Sequence, residues 1–446
     1  MEEVACEICG SAEYDVLLDK LWLCEKNNWK KEGLVLFFND MPVNYRNVCC
    51  KQCGLVYVNP RMTDEETVEF YKKQYREIYT AKTKDNKQNN NFHFTAEHLG
   101  LEIYNAVVRY DLLEKLGYLK KDITTLDIGS SLGVLPAYLK NKGCNAYGVE
   151  LSQFADYTNE LFGIDTIFRV PFEDLKTDIK FDIVTICDAL EHFSHPKKVL
   201  LKIRDLLKDN GIVLIEVPDI FKPHKALLGF FSNAHLFTFS PNSIRNLLNI
   251  SGFDIVHFEY GGYCMNMRIV AKKGETKDLK ARDDFNTIID FIARYDKVYN
   301  AMTQFKQNKI SYESALDIAR KTIPDYSVIN FIQAVRLNES GDVNKAKELL
   351  IECILSDFNE EDLNLQKGNI YGLLAIICFN TGDMIYARFF LKQAFELLPK
   401  LYKFPYLEGL ANKGVFNIKE FVMRRGLYYE ELFEMERILK NYEKKT

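Results

Sequence analysis

Between residues 121 and 273, short apolar runs alternate with amphipathic stretches of helical period. Buried strands separated by half-buried helices produce this pattern. The runs predict strands at Thr125–Ile128, Ala146–Glu150, Thr166–Val170, Phe181–Cys187, Gly211–Val217, Phe253–Tyr260 and Met265–Ala271. Helical patterns separate the first six, and Gly261-Gly262 joins the last two as a hairpin. The expected fold class is α/β, a Rossmann-like seven-stranded sheet of five parallel strands followed by an antiparallel pair.

From about Asp278 onward the strand signal stops, and Leu, Ala, Lys and Glu recur with helical spacing. The stretch Ala334–Asp342 followed by Ala346 matches Ala375–Asp383 followed by Ala387. Small residues let paired helices approach, and Gly-Asp supplies a turn. This resembles tetratricopeptide-type helical hairpins, at a longer spacing, with a plain helical bundle as the alternative. Four regions are expected: a cysteine-rich module over 1–60, a helical or lid linker over 61–120, the α/β domain over 121–275, and an all-α region over 276–446. The linker is tyrosine-rich and contains the low-complexity run Lys84–Asn91.

Composition narrows the function classes. The chain has 446 residues, 47% of them hydrophobic, and a formal charge of -5. That balance argues against a nucleic-acid partner. The acidic start Met1–Cys6 does not read as a secretory leader. Apolar stretches such as Leu373–Phe379 are too short to span a bilayer. A cytoplasmic protein is expected, with a protein partner or homodimer contact through the C-terminal helices.

Six of the eleven cysteines fall in the first 60 residues. In a reducing compartment they read as metal ligands or buried thiols. Cys6-Glu-Ile-Cys9 and Cys50-Lys-Gln-Cys53 are C-x-x-C pairs, each followed by glycine. Such turns aim two thiolates at one point, and two of them suit a structural, tetrahedral Zn²⁺. Cys49 is the alternative to Cys50, but only Cys50 keeps the spacing. Cys24 is expected in the core, and residues 11–49 form an inserted hairpin or loop.

The candidate ligand loop is Asp127-Ile-Gly-Ser-Ser-Leu-Gly133. Asp127 ends the first strand, and Gly129, Ser131 and Gly133 follow at alternate positions, with Ser130 between them. Small residues let backbone approach a ligand, and the following helix offers N–H groups. Glu150, then Leu151, ends the next strand, where a carboxylate can accept both hydroxyls of a ribose. Phe172 and Glu173 follow the third strand, and Asp188 and Ala189 the fourth, in Asp188-Ala-Leu-Glu-His192.

Together with Phe181–Phe193, His195-Pro196 and Gly211–Pro218, these motifs resemble the class I methyltransferases of the ubiquinone/sugar type over residues 121–273. The resemblance implies S-adenosylmethionine as cofactor, held by Asp127, Gly129, Ser130, Ser131, Gly133, Glu150, Leu151, Phe172, Glu173, Asp188 and Ala189. The family usually has glycine where Ser131 stands. The run Cys53–Arg61, then Phe70-Tyr71 and Tyr75, resembles the N-terminal zinc module of bacterial sugar C-methyltransferases. In that group the module covers the substrate side. Tyr71, Tyr75 and Tyr79, four apart, would line one helical face toward cofactor or substrate, or pack against the module.

Methyl transfer from a sulfonium needs positioning, and a base if the acceptor must lose a proton. His235 is the expected base and His192 the expected hydrogen bonder on the cofactor or substrate side. A structural cap before Pro241 is the alternative for His235. His93 and His98 are weaker candidates. The sugar C-methyltransferases carry a tyrosine and a glutamate where this chain has Ser232 and Ala234. The expected activity is therefore O-methylation of a sugar, nucleotide sugar or glycan intermediate. The alternatives are C-methylation of a keto-deoxysugar nucleotide, or a non-catalytic interaction protein.

Overall fold

The computed structural model describes residues 2–20, 37–38, 41–42, 45–73, 94–223, 230–231, 234–261, 266–279, 284–307, 309–322, 328–355, 364–397, 401–416 and 435. Cys24, Tyr75, Tyr79, His93, Ser232 and the run Lys84–Asn91 lie outside the described residues.

Strands β1 (Tyr14–Lys20), β4 (Tyr45–Cys50) and β5 (Val56–Val58) form an antiparallel sheet at the N-terminus, and β2 (Phe37–Phe38) pairs with β3 (Met41–Pro42) in the insertion. Helices α1 (Asp64–Lys73) and α2 (Ala96–Lys115) follow. The central sheet then runs β6 (Thr124–Ile128), β7 (Asn145–Val149), β8 (Ile167–Phe168), β9 (Phe181–Cys187), β10 (Leu207–Val217), β12 (Phe253–Gly261) and β13 (Asn266–Lys273). Helices α3 (Val134–Asn141), α4 (Ala155–Phe162), α5 (Pro196–Leu206) and α6 (Pro241–Ile250) alternate with these strands.

The seven strands lie in the order β12-β13-β10-β9-β6-β7-β8. The pairs among β6 to β10 are parallel, and β13 pairs antiparallel with β10 and β12. This is the expected α/β plan. The order reverses at β6, so a crevice opens beyond the carboxyl ends of β6 and β9. Strands β6, β9 and β10 are buried on both faces, which is why their sequences read as continuous apolar runs.

One strand was not legible. Phe237–Thr238, β11, leaves the α/β region and pairs antiparallel with β5, so the N-terminal sheet is β1-β4-β5-β11. Two residues with no alternating pattern carry no strand signal of their own. The module boundary at residue 60 therefore separates chain segments, while the sheet crosses it.

The last region is helical: α7 (Phe285–Lys306), α8 (Tyr312–Thr322), α9 (Val328–Glu339), α10 (Val343–Leu355), α11 (Asn364–Asn380), α12 (Met384–Leu397) and α13 (Leu407–Asn412). The repeated motif forms the same turn twice. Asp342 N donates to Leu337 O and Asp383 N to Cys378 O, both at 2.8 Å, with Gly341 and Gly382 at φ 88° and 81°. Ala334, Ala346, Ala375 and Ala387 are fully buried, as close helix pairing requires. Phe404 and Tyr406 pack edge-on against Tyr138 of α3 and Phe162 of α4, and Lys403 pairs with Asp111 of α2 at 3.1 Å. The helical region thus rests on the helices that follow and precede β6. Among the described residues no helix is long and apolar enough to cross a membrane.

Candidate active site

The loop after β6 alternates handedness. Gly129, Ser131 and Gly133 sit at φ 74°, 50° and 74°. Ser131 is a left-handed residue with a side chain, which costs energy that glycine avoids. Gly133 has no such latitude, since a Cβ there would stand 2.4 Å from Thr158 Cγ2. Four amides of the loop before α3 are already paired. Gly129 N and Ser130 N donate to Val149 O, Ser131 N donates to Glu150 Oε2 at 2.8 Å, and Gly133 N donates to Ser130 O. Buried amides must find partners, and three of these four find them on Val149 and Glu150, the fourth within the loop.

Glu150 therefore has a structural share. Its Oε1 accepts from Ser152 N at 2.7 Å while Oε2 holds Ser131. Each carboxylate oxygen retains a second acceptor direction. Asp127 is 8% exposed and accepts from Thr185 Oγ1 at 2.6 Å. Burial pushes its carboxyl up to about 6.

These groups line a cavity of about 950 Å³. Its wall includes Asp127, Gly129, Ser130, Ser131, Glu150, Leu151, Phe172, Glu173, Asp188, Ala189, Tyr71 and His192. The volume falls in the range of small-molecule sites. Gly133 and His235 are not among the described residues lining it.

Helix α2 also lines the cavity, and of its lining residues the sequence pointed only to His98. His98, Glu102, Asn105 and Arg109 line the cavity at spacings of four, three and four. Such spacing puts them on one helical face. Their neighbours Leu99, Ile103, Ala106 and Val107 are buried in the core. The signal was present as a polar stripe through an otherwise apolar helix, but only the fold says that the stripe faces a ligand-sized space. Asn105 Oδ1 on this helix and Ser130 Oγ in the loop after β6 are buried without a hydrogen-bond partner.

Arg109 donates to Asp188 Oδ2 at 2.7 Å and Glu216 Oε2 at 3.1 Å. Arg268 also donates to Glu216, at 3.1 Å. Burial works against Glu216 ionising, yet Arg109 and then Arg268 hold its carboxyl below the usual range. Asp188 adopts a left-handed φ of 52° and accepts from Asn266 as well. Burial, then Glu216, pushes Asp188 up to about 6 against the pull of Arg109. Glu191, 1% exposed, is pushed well up by burial and by Asp188.

At the outer end, His192 Nδ1 lies 2.7 Å from both Ala234 O and Tyr71 Oη, and Tyr71 Oη also donates to Ala234 O at 3.0 Å. A carbonyl accepts only, so Nδ1 carries the proton and Nε2 is the basic nitrogen of the neutral ring. The His235 ring stands edge-on to His192 at 4.8 Å between centroids. The cap of α6 is Ser240, whose Oγ accepts from Ser243 N at 3.0 Å, and not His235. Glu191, His192 and His235 also bring three potential ligand atoms within 4.8 Å of one another.

The cysteine pairs converge. Cys6, Cys9, Cys50 and Cys53 place their sulfurs within 4.8 Å of one another, with Cys6–Cys53 and Cys9–Cys50 at 3.5 Å. Disulfide sulfurs sit at about 2.05 Å, whereas Zn–S bonds of about 2.3 Å in a tetrahedron put sulfurs about 3.8 Å apart. The four thiols thus fit a tetrahedral metal. The two turns are alike: Gly10 N donates to Cys6 O at 2.8 Å and Gly54 N to Cys50 O at 2.9 Å. Cys49 points elsewhere, its Sγ 3.7 Å from Gly54 O in the core formed with α7.

Comparison with known proteins agrees with this geometry. A family model described as a methyltransferase domain matches residues 102–258. Curated relatives include the ubiquinone biosynthesis O-methyltransferases of Paraburkholderia phytofirmans, 28% identical over 97 residues covering 20% of this chain and 42% of that one. That of Colwellia psychrerythraea is 23% identical over 127 residues, 27% of this chain and 48% of that one. The chain spans less than half the length of these relatives. Among solved structures, the 1,6-didemethyltoxoflavin-N1-methyltransferase of Burkholderia thailandensis with bound S-adenosylhomocysteine aligns at a TM-score of 0.36 and 17% identity, covering 50% of this chain and 96% of that one. The magnesium protoporphyrin IX methyltransferase of Synechocystis aligns at 0.31 and 16%, covering 40% and 86%. The family match and the strand order together support a class I methyltransferase domain over residues 102–258.

Proposed function

We propose that the chain is an S-adenosylmethionine-dependent methyltransferase that O-methylates a hydroxylated small molecule, a sugar or glycan intermediate. The observation that carries the reading is one cavity lined both by Glu150 and Phe172, which suit a nucleoside, and by His192, whose Nδ1 is held against Ala234 O. Bound there, the cofactor supplies an electrophilic methyl group on sulfur. Glu150 accepts the ribose hydroxyls. Phe172, Leu151 and Ala189 flank the base, with Glu173 beside them. Asp188 and the α2 stripe face the amino-acid end, where Asn105 Oδ1 and Ser130 Oγ find the partners they lack within the protein. His192 removes the acceptor proton at Nε2, and Tyr71 with Ala234 O keeps the proton on Nδ1. In this reading His192 takes the role expected of His235, which steadies its ring.

The names of the curated relatives favour oxygen as acceptor atom, and the N-terminal cysteine module favours a sugar. Cys6, Cys9, Cys50 and Cys53 hold a structural Zn²⁺. The helical region, read as tetratricopeptide-type hairpins, takes a protein partner or second copy. A second reading has Glu191, His192 and His235 bind a divalent cation that polarises the acceptor hydroxyl. Turnover that rises on adding Mg²⁺ or Mn²⁺ to zinc-loaded protein supports it. A methyl-transfer screen with labelled cofactor against sugars, nucleotide sugars and glycans tests the main reading, and the position of label in the product separates oxygen from carbon.

Glu150→Gln is expected to weaken S-adenosylmethionine binding by about 1.5–3 kcal/mol, the value of hydrogen bonds to a charged group. Calorimetric affinity equal to wild type would remove Glu150 from the ribose. A pH dependence follows from Asp127 and Asp188, both pushed up to about 6. Below that pH the folded chain holds them protonated. This stabilises the apo fold at acid pH, a contribution lost as pH rises through about 6. The cationic sulfonium favours their ionised forms in a site shared with Arg109, Arg268, Glu191 and Glu216. S-adenosylmethionine affinity should therefore climb from pH 5.5 to 7.5 more than that of S-adenosylhomocysteine. A pH-independent ratio of the two affinities contradicts this.

A further inference from the structure

The cysteine module is more than a distant brace. Glu7, inside the first knuckle, has Oε1 2.7 Å from His195 Nδ1 and 3.6 Å from Arg61 Nη2. The Arg61 side chain is 2% exposed, and its Nη1 donates to Ser194 O at 2.6 Å. Ser194 and His195 follow the turn Leu190–His192 after one residue, Phe193. The second knuckle leads straight into β5, which pairs with β11, and Val58 N donates to Leu236 O at 2.9 Å. Leu236 is two residues beyond Ala234, whose carbonyl receives His192 Nδ1. Arg61 in turn precedes α1, which carries Tyr71. His195 Nε2 also reaches Asp64 of α1 at 3.4 Å.

The segments around His192 Nδ1, namely its own loop, Ala234 and Tyr71, are thus all tied to the module within a few residues. A buried guanidinium must be paired, and Arg61 is paired with the loop carbonyl and with carboxylates of residues 2 and 7. The loop after β6 and Glu150 are held instead by β7 and by each other.

We infer that Glu7, Arg61 and His195 are positioning residues, a clamp through which the occupied cysteine site holds His192 in its Nδ1–H form. The inference rests on the base role proposed for His192.

The test uses the full chain labelled with ¹⁵N-histidine, with His192 assigned from the His192→Gln spectrum. Spectra are taken of zinc-loaded wild type, of wild type shown by metal analysis to have lost its zinc, and of Glu7→Gln and His195→Asn. The two substitutions lie at partly exposed side chains, so folding is not at stake. The clamp predicts a fixed Nδ1–H tautomer in the loaded wild type and averaged ring-nitrogen shifts in the other three. In Glu7→Gln, a residue outside the cavity lining, it also predicts S-adenosylhomocysteine affinity within about twofold of wild type. An unchanged His192 spectrum after zinc loss and in both variants overturns the clamp, as does a larger loss of that affinity in Glu7→Gln. A wild-type proton on Nε2 refutes the base role instead, and the spectral change on zinc loss still decides the clamp.

Discussion

His192→Gln is expected to lower turnover by about 10²–10⁴-fold, the range for losing a positioned general base, with cofactor affinity intact. The argument is local. Nδ1 faces Ala234 O at 2.7 Å, so the ring is locked with its basic nitrogen at Nε2. Glutamine fills similar space and keeps a donor for Ala234 O, but it has no nitrogen that accepts a proton near neutral pH. Tyr71→Phe removes one hydroxyl from the same cluster and keeps the ring that packs on Phe70, so its effect should be smaller. His235→Ala should also cost less than His192→Gln, because His235 touches the site through the His192 ring. Steady-state rates with the acceptor found by labelled-cofactor screening check the order. If His235→Ala is the more damaging, the base belongs to His235.

The second large effect concerns the cysteines. Cys50→Ser is expected to abolish stoichiometric zinc and unfold the β1-β4-β5 sheet, whereas Cys49→Ser keeps the metal. Structural zinc supplies about 10–16 kcal/mol of apparent folding free energy in small modules. The pairing beside the second knuckle is short, since β5 is three residues long and its outer neighbour β11 is two. Crowded thiols are also costly without a cation. Hydrogen bonding from Cys50 pushes the Cys53 thiol far up, while the bond from Cys53 holds Cys50 down. Metal content together with hydrogen-exchange protection of β1 and β4 measures the outcome. Equal protection in wild type and Cys50→Ser would show that the core beneath, not the metal, holds the sheet.

The fold was legible where the chemistry of each segment is local. The β9 run Phe181–Cys187 is buried along its length and was found to the residue. β8 was drawn longer than the two residues observed, because it lies at the sheet edge with only β7 beside it. The alternation Gly129, Ser131, Gly133 is a run of left-handed residues, and the departure at Ser131 is a non-glycine held at φ 50°. What remained hidden depends on tertiary neighbours. The α2 stripe needs the crevice before its polar face has a meaning. β11 needs β5 before two residues become a strand. The choice between His192 and His235 depends on which ring nitrogen meets a carbonyl, and spacing along the chain says nothing of that.

The central claim is that the cavity between β6, β9 and α2 is a cofactor site. Titration calorimetry of the full chain with S-adenosylmethionine tests it most directly. The account predicts one saturable site per chain at micromolar cofactor, about 8 kcal/mol of binding free energy. Absence of heat at high micromolar cofactor, in protein that retains its folded transition, contradicts it.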